Sequence, residues 1–143
     1  MKILAVDYGT KRVGLAICDE LQLVTRGLDT LPSLGIRRDA LKLLAVANQW
    51  ECGAILVGLP LHLDGTRGRS AERAIALVRS LRAAANRPVH LVDERLTSRE
   101  ADEQMRVRGK RTDKKDGRRD QQAARIILED FLRLGLDATV CIR

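Results

Sequence analysis

Asp7, Glu94 and Asp120 are the residues whose types and placement suit a shared chemistry, and each also has a plainer role. In "ILAVDYGTKRVGLAI" an apolar strand runs into Asp7, a glycine turn and two cations before turning apolar again, which reads as a β-hairpin. Asp7 is equally accounted for as a turn former, because aspartate bonds its own backbone and Gly9 supplies the positive φ. Asp93 and Glu94 end the strand "VHLV". Alternation puts Ile3, Ala5 and Asp7 on one face of the first strand and His90, Val92 and Glu94 on one face of the later one, with Asp93 opposite. Asp120 precedes Ala124 by four positions, Ile127 by seven and Phe131 by eleven, so it extends the buried stripe of the last helix into its first turn. The plainer account of Asp120 is N-terminal capping, favoured by free N–H groups and the macrodipole.

Three such carboxylates at one rim would repel by about 3 kcal/mol per pair at about 5 Å and an effective dielectric near 20. A divalent cation removes that cost. Hard oxygen ligands select Mg²⁺ or Mn²⁺, and two such ions activate water and stabilise the leaving oxygen in phosphodiester hydrolysis. Weak by itself, the acidic trio favours a nuclease with a pair of ions once the cations are considered.

The cations point the same way. The chain has 26 Lys and Arg against 19 Asp and Glu, a net +7. Much of the excess lies in "RVRGKRTDKKDGRR", residues 106 to 119, expected to be a mobile loop. Lys110, Arg111, Lys114, Lys115, Arg118 and Arg119 suit a nucleic-acid backbone, whose neutralisation releases counterions. A solvated charged segment that only keeps the protein soluble explains the block as well. Lys11 and Arg12, just past the first turn, are phosphate contacts or an exposed hairpin tip. Tyr8, Trp50 and Phe131 are the only aromatics, too few for a single-strand binder that works by stacking bases.

The elements that must position these residues follow from periodicity. After the hairpin, residues 22 to 30 predict a third strand, and "LPSLG" precedes a helix over 36 to 50 with Ala40, Leu43, Leu44 and Ala47 on its stripe. "AILVGLP" predicts a buried strand, the loop "LPLHLDGTRGRS" follows, and a second helix spans 70 to 86. "VHLV" is the last predicted strand; Thr97 and Glu100 have capping-box spacing for a third helix, and a final one covers 119 to 134. That order predicts an α/β fold, a mixed five-stranded sheet with helices on both faces, whose ligands lie beyond the carboxyl ends of the parallel strands. At 143 residues the chain reads as one domain. Cys18, Cys52 and Cys141, widely spaced and odd in number, suit reduced thiols, and the N-terminal apolar run is too short for a signal peptide or membrane span. A soluble cytoplasmic protein is expected.

Four blocks, "VDYGTKRVGLAI", "VGLPLHLDGT", "VDERLTSREA" and "RRDQQAARIILEDFL", resemble the signature blocks of the YqgF/RuvX family in order and spacing over nearly the whole chain. The resemblance implies an RNase H-like fold related to Holliday-junction resolvases, and a bacterial cytoplasmic nuclease that matures the precursor of 16S ribosomal RNA. Carried over by position, the family's acidic triad falls on Asp7, Glu94 and Asp120. His62 and Leu63 stand where the family usually has asparagine and methionine, and His62 reads as a loop residue. Asp116 competes with Asp120, which keeps the spacing to "QQAARIILE". "DYGT" also resembles the phosphate-binding hairpin of actin-like and sugar-kinase ATPases, but those enzymes close two such domains around a nucleotide. Precursor ribosomal RNA is thus the favoured partner, and structured or branched DNA, cut by a resolvase, is the alternative. A non-catalytic nucleic-acid-binding module is the rival of another class.

Overall fold

A computed structural model describes residues 1–96 and 118–142. The first hairpin forms as the sequence dictates, β1 (Ile3–Tyr8) pairing antiparallel with β2 (Arg12–Cys18) so that Asp7 faces Gly14 across the ladder. β3 (Thr25–Pro32) continues the meander. It starts three residues later than the alternation predicts. Residues 22 to 24 form the turn instead, because the Asp19 carboxylate accepts the N–H groups of Leu23 and Val24, both at 2.8 Å.

Helix α1 (Ile36–Gln49), strand β4 (Ala54–Leu59), helix α2 (Arg69–Ala84) and strand β5 (Val89–Asp93) follow, with β1, β4 and β5 parallel. A 3-10 turn (Glu94–Leu96) leaves β5. Helix α3 (Arg118–Leu134) leads through a second 3-10 turn (Gly135–Ala138) into β6 (Thr139–Val140). The sheet order is β3-β2-β1-β4-β5-β6. The expected five strands are therefore six: β6, too short at two residues to show alternation, pairs antiparallel with β5. The helix expected from Thr97 lies outside the described residues.

Both faces of the sheet are covered, and by unlike layers. On one, Leu4, Val6, Leu15, Ile55, Val57 and Leu91 pack against the stripes of α1 and α2, including Leu43, Leu77, Val78 and Leu81. Each such aliphatic side chain contributes roughly 1.5–3 kcal/mol on burial. On the other, Ile3, Ala5, Ala16, Leu56 and Val92 meet Ala124, Ile127 and Leu128 of α3. Alanines and glycines recur on this second face, so α3 lies close against the strands. No helix among the described residues is long and apolar enough to cross a membrane.

Candidate active site

The close seating of α3 brings its first turn to Asp7. A Cβ on Gly14 would lie 2.3 Å from the Asp120 carbonyl oxygen and 2.9 Å from the Asp120 Cβ, so only glycine lets the helix start there. Gly14 is the ladder partner of Asp7, and Asp120 is thereby set beside the strand that carries Asp7. A second glycine does the same for the third acid. Gly58 on β4 faces Val92 across the ladder, and a Cβ there would stand 2.9 Å from the Glu94 carboxyl carbon and 2.5 Å from Ile127 Cδ1. Glu94, one residue past β5, thus folds back over β4 on the α3 side, with Asp7 one strand away.

The carboxyl groups act on one another's charge. Burial, then the nearby Asp120 charge, pushes the Asp7 carboxyl up to about 6. Burial, then Asp7 and Asp93, pushes Glu94 up to about 8. Asp120 Oδ2 is buried and accepts no hydrogen bond, but the Arg12 Nε stands 3.2 Å from it in an ion pair. Asp93 points away from the trio, as alternation predicts, and is engaged by the Arg95 guanidinium, with Nη2 to Oδ2 at 2.9 Å. Among the described residues no three acidic, imidazole or thiol groups, as placed, are gathered tightly enough to hold an ion. The chemistry of the set nevertheless fits Mg²⁺ or Mn²⁺: its donors are carboxylate oxygens, one of them buried without a hydrogen bond, and a bound cation offsets the desolvation of Asp7 and Glu94.

A family model described as "RuvX: Holliday junction resolvase" matches residues 1–134. This chain belongs to the RuvX family. Among RuvX relatives, a protein of Anaeromyxobacter dehalogenans strain 2CP-C, bearing the provisional name pre-16S rRNA nuclease, is 40% identical over 132 residues, covering 92% of this chain and 96% of that one. A namesake from Opitutus terrae is 43% identical over 137 residues, covering 92% and 91%. Among solved structures, T. thermophilus RuvC in complex with Holliday junction substrate superposes with a TM-score of 0.60 at 16% identity, covering 98% of this chain and 99% of that one. The fowlpox virus Holliday junction resolvase gives 0.52 at 14% identity, covering 92% and 99%. At these identities the likeness is one of fold: this RuvX chain has the fold of the RNase H-like resolvases.

The other residues singled out from the RuvX sequence fall in several places. Lys11 is exposed at the hairpin tip, and Arg12 turns back to Asp120. Arg118 and Arg119 open α3 rather than ending a loop, and Arg119 is exposed. Lys110, Arg111, Lys114 and Lys115 lie outside the described residues. His62 sits in the loop after β4, its N–H bonded to the Thr66 carbonyl at 3.0 Å, as a loop residue would.

Sequence reasoning overlooked the supports. Gly14 and Gly58 are isolated glycines in apolar strands, a signal of close backbone approach that was there to read. Asp39 on α1 is buried and receives the Tyr8 hydroxyl at 2.6 Å, the Ser33 hydroxyl at 2.7 Å and the Leu34 N–H at 2.9 Å. It anchors the residue next to Asp7. Arg73 of α2 lies over the Tyr8 ring, 4.9 Å from its centroid, and donates to the Gly9 carbonyl at 3.3 Å. Neither interaction leaves a periodic trace in the sequence.

Proposed function

We propose that this chain is a divalent-metal-dependent nuclease of the cytoplasm that hydrolyses phosphodiester bonds in maturation of the 16S ribosomal RNA precursor. The observation that carries the reading is that Asp120 packs on Gly14, the ladder partner of Asp7, and Glu94 on Gly58 of the neighbouring strand, so that glycines seat two of the acids on the α3 side of the sheet that Asp7 shares. The identity to relatives named as pre-16S rRNA nucleases supports the substrate.

Asp7, Glu94 and Asp120 are the ligands and the catalytic acids. Bound Mg²⁺ or Mn²⁺, as one ion or a pair, supplies an activated water and neutralises charge on the leaving oxygen. At neutral pH Glu94, held up to about 8, would give up a proton on binding a cation, whereas Asp7, at about 6, is already mostly ionised. Lys11 and Arg12 contact phosphates, as do the basic residues Lys110, Arg111, Lys114, Lys115, Arg118 and Arg119.

The purified chain is assayed on precursor RNA, single-stranded DNA and a four-way junction, each with Mg²⁺, Mn²⁺ or chelator. The expected result is metal-dependent cleavage of RNA, with Asp7→Asn losing cleavage by about a thousandfold or more while RNA binding persists. The family description and the RuvC-like fold favour one second reading, junction resolution, which paired cuts in the four-way substrate would establish instead. Absence of hydrolysis on every substrate with both ions would reduce the chain to a binding module.

A further inference from the structure

Carboxylates brought to the same side of the sheet repel until a cation arrives, as Asp120 does Asp7 and Asp7 does Glu94, so the ion-free site needs an offset of its own. Arg12 supplies one. It opens β2 directly after the turn that follows Asp7, and its partly exposed guanidinium reaches back so that Nε stands 3.2 Å from Asp120 Oδ2. That oxygen is buried and accepts no hydrogen bond, so the contact is an attraction between charges without hydrogen-bond alignment. An ion pair of this kind, open to solvent on the arginine side, is weak and readily exchanged. It also occupies an oxygen that suits a metal ion, since Asp120 lies close enough to Asp7 to act on its charge.

We propose that Arg12 is a placeholder cation: it holds the Asp120 carboxylate in the ion-free site and surrenders it when a divalent ion binds, leaving the guanidinium to the phosphate backbone of the nucleic acid. The inference rests on the metal-nuclease reading but goes beyond it. It makes Arg12 a positioning residue that meets Asp120 and then a phosphate, so that ion uptake and nucleic-acid binding favour one another. A guanidinium left beside a newly bound divalent ion is repelled by it and is attracted to a polyanion.

The test is calorimetric titration of Mn²⁺ into the full ion-free chain without nucleic acid. Arg12→Gln and Arg12→Met are expected to bind Mn²⁺ about two- to fivefold more tightly than wild type, the scale on which a partly exposed ion pair competes. Arg12→Lys, which keeps the charge, is expected to stay near wild type. In an Asp120→Asn background, Arg12→Gln is expected to change Mn²⁺ affinity by less than about twofold, because the competing ion pair is already gone. Equal or weaker Mn²⁺ binding by both charge-free variants overturns the placeholder role and leaves the metal-nuclease reading standing. If wild type takes up no Mn²⁺, or Asp7→Asn takes it up as well as wild type does, the metal site itself is refuted and the inference with it.

Discussion

The backbone of Asp120 rests on Gly14, with no room for even a methyl group between helix and strand. Gly14→Ala must therefore lift the first turn of α3, because the atoms it meets are backbone and cannot rotate aside. Overpacking of this kind costs about 1–3 kcal/mol, and a shift of about 1 Å at a reacting group costs about a hundredfold in rate. Denaturant unfolding and single-turnover cleavage would measure the two effects. A variant with wild-type stability and rate would mean that α3 does not set the position of Asp120.

Without a bound cation, the acidic site should weaken the fold as pH rises. Glu94 is raised to about 8 and Asp7 to about 6, so the native state holds protons that the unfolded chain has released. Their favourable contribution is complete below the ordinary carboxylate pKa near 4 and is lost as pH climbs through about 6 and then about 8. Glu94→Gln should therefore stabilise the ion-free protein at pH 9 by on the order of 2 kcal/mol and change little at pH 4. Melting curves in chelator would register this, and a larger gain at pH 4 would contradict it.

Asp39 predicts the opposite slope. Burial works against its charge, but the Leu34 N–H and the Tyr8 and Ser33 hydroxyls outweigh burial and hold the carboxyl below the usual range. Its contribution is present above the ordinary aspartate pKa and fades as pH falls through its lowered value. Asp39→Ala leaves three donors without their acceptor and should cost about 2–4 kcal/mol at pH 7. Because Tyr8 adjoins Asp7, a milder Tyr8→Phe should reduce cleavage more than stability. Unfolding at pH 7 and pH 3 together with a rate measurement would check both, and a cost for Asp39→Ala that grew towards pH 3 would contradict the sign.

The basic segment has its own test in salt. Neutralising Lys114, Lys115, Arg118 and Arg119 together should flatten log affinity against log salt by up to about four units of slope, because each cation bound to a phosphate displaces about one counterion. An unchanged slope in a filter-binding series would return these cations to the role of solvated surface.

Periodicity carried the helices, because each has one buried stripe, while β1, β2 and β4 were legible as short apolar runs, since the sheet is buried on both faces. Ala124, Ile127 and Leu128 are buried as the α3 pattern requires, while Phe131, at the end of that stripe, is only partly covered and stacks on His90. The strand β6 was not legible: at two residues it exists only because β5 offers a free edge. The start of β3 was missed because the Asp19 carboxylate captures amides that a ladder would have used. At the site, residue types and facing proposed the acids, but what holds these side chains in place is tertiary. Arg12 read as a phosphate contact because its sequence neighbours are a turn and a lysine; its ion-pair partner lies at the far end of the chain.

One acid of the trio comes from the first strand and another from the last helix, with nearly the whole polypeptide between them. Contacts of such long sequence separation form late, after loop closure has been overcome. A nascent chain whose synthesis has stopped short of α3 lacks both Asp120 and the roof over β1 and β2. On the proposed reading, cutting power is thereby withheld from any fragment that ends before α3.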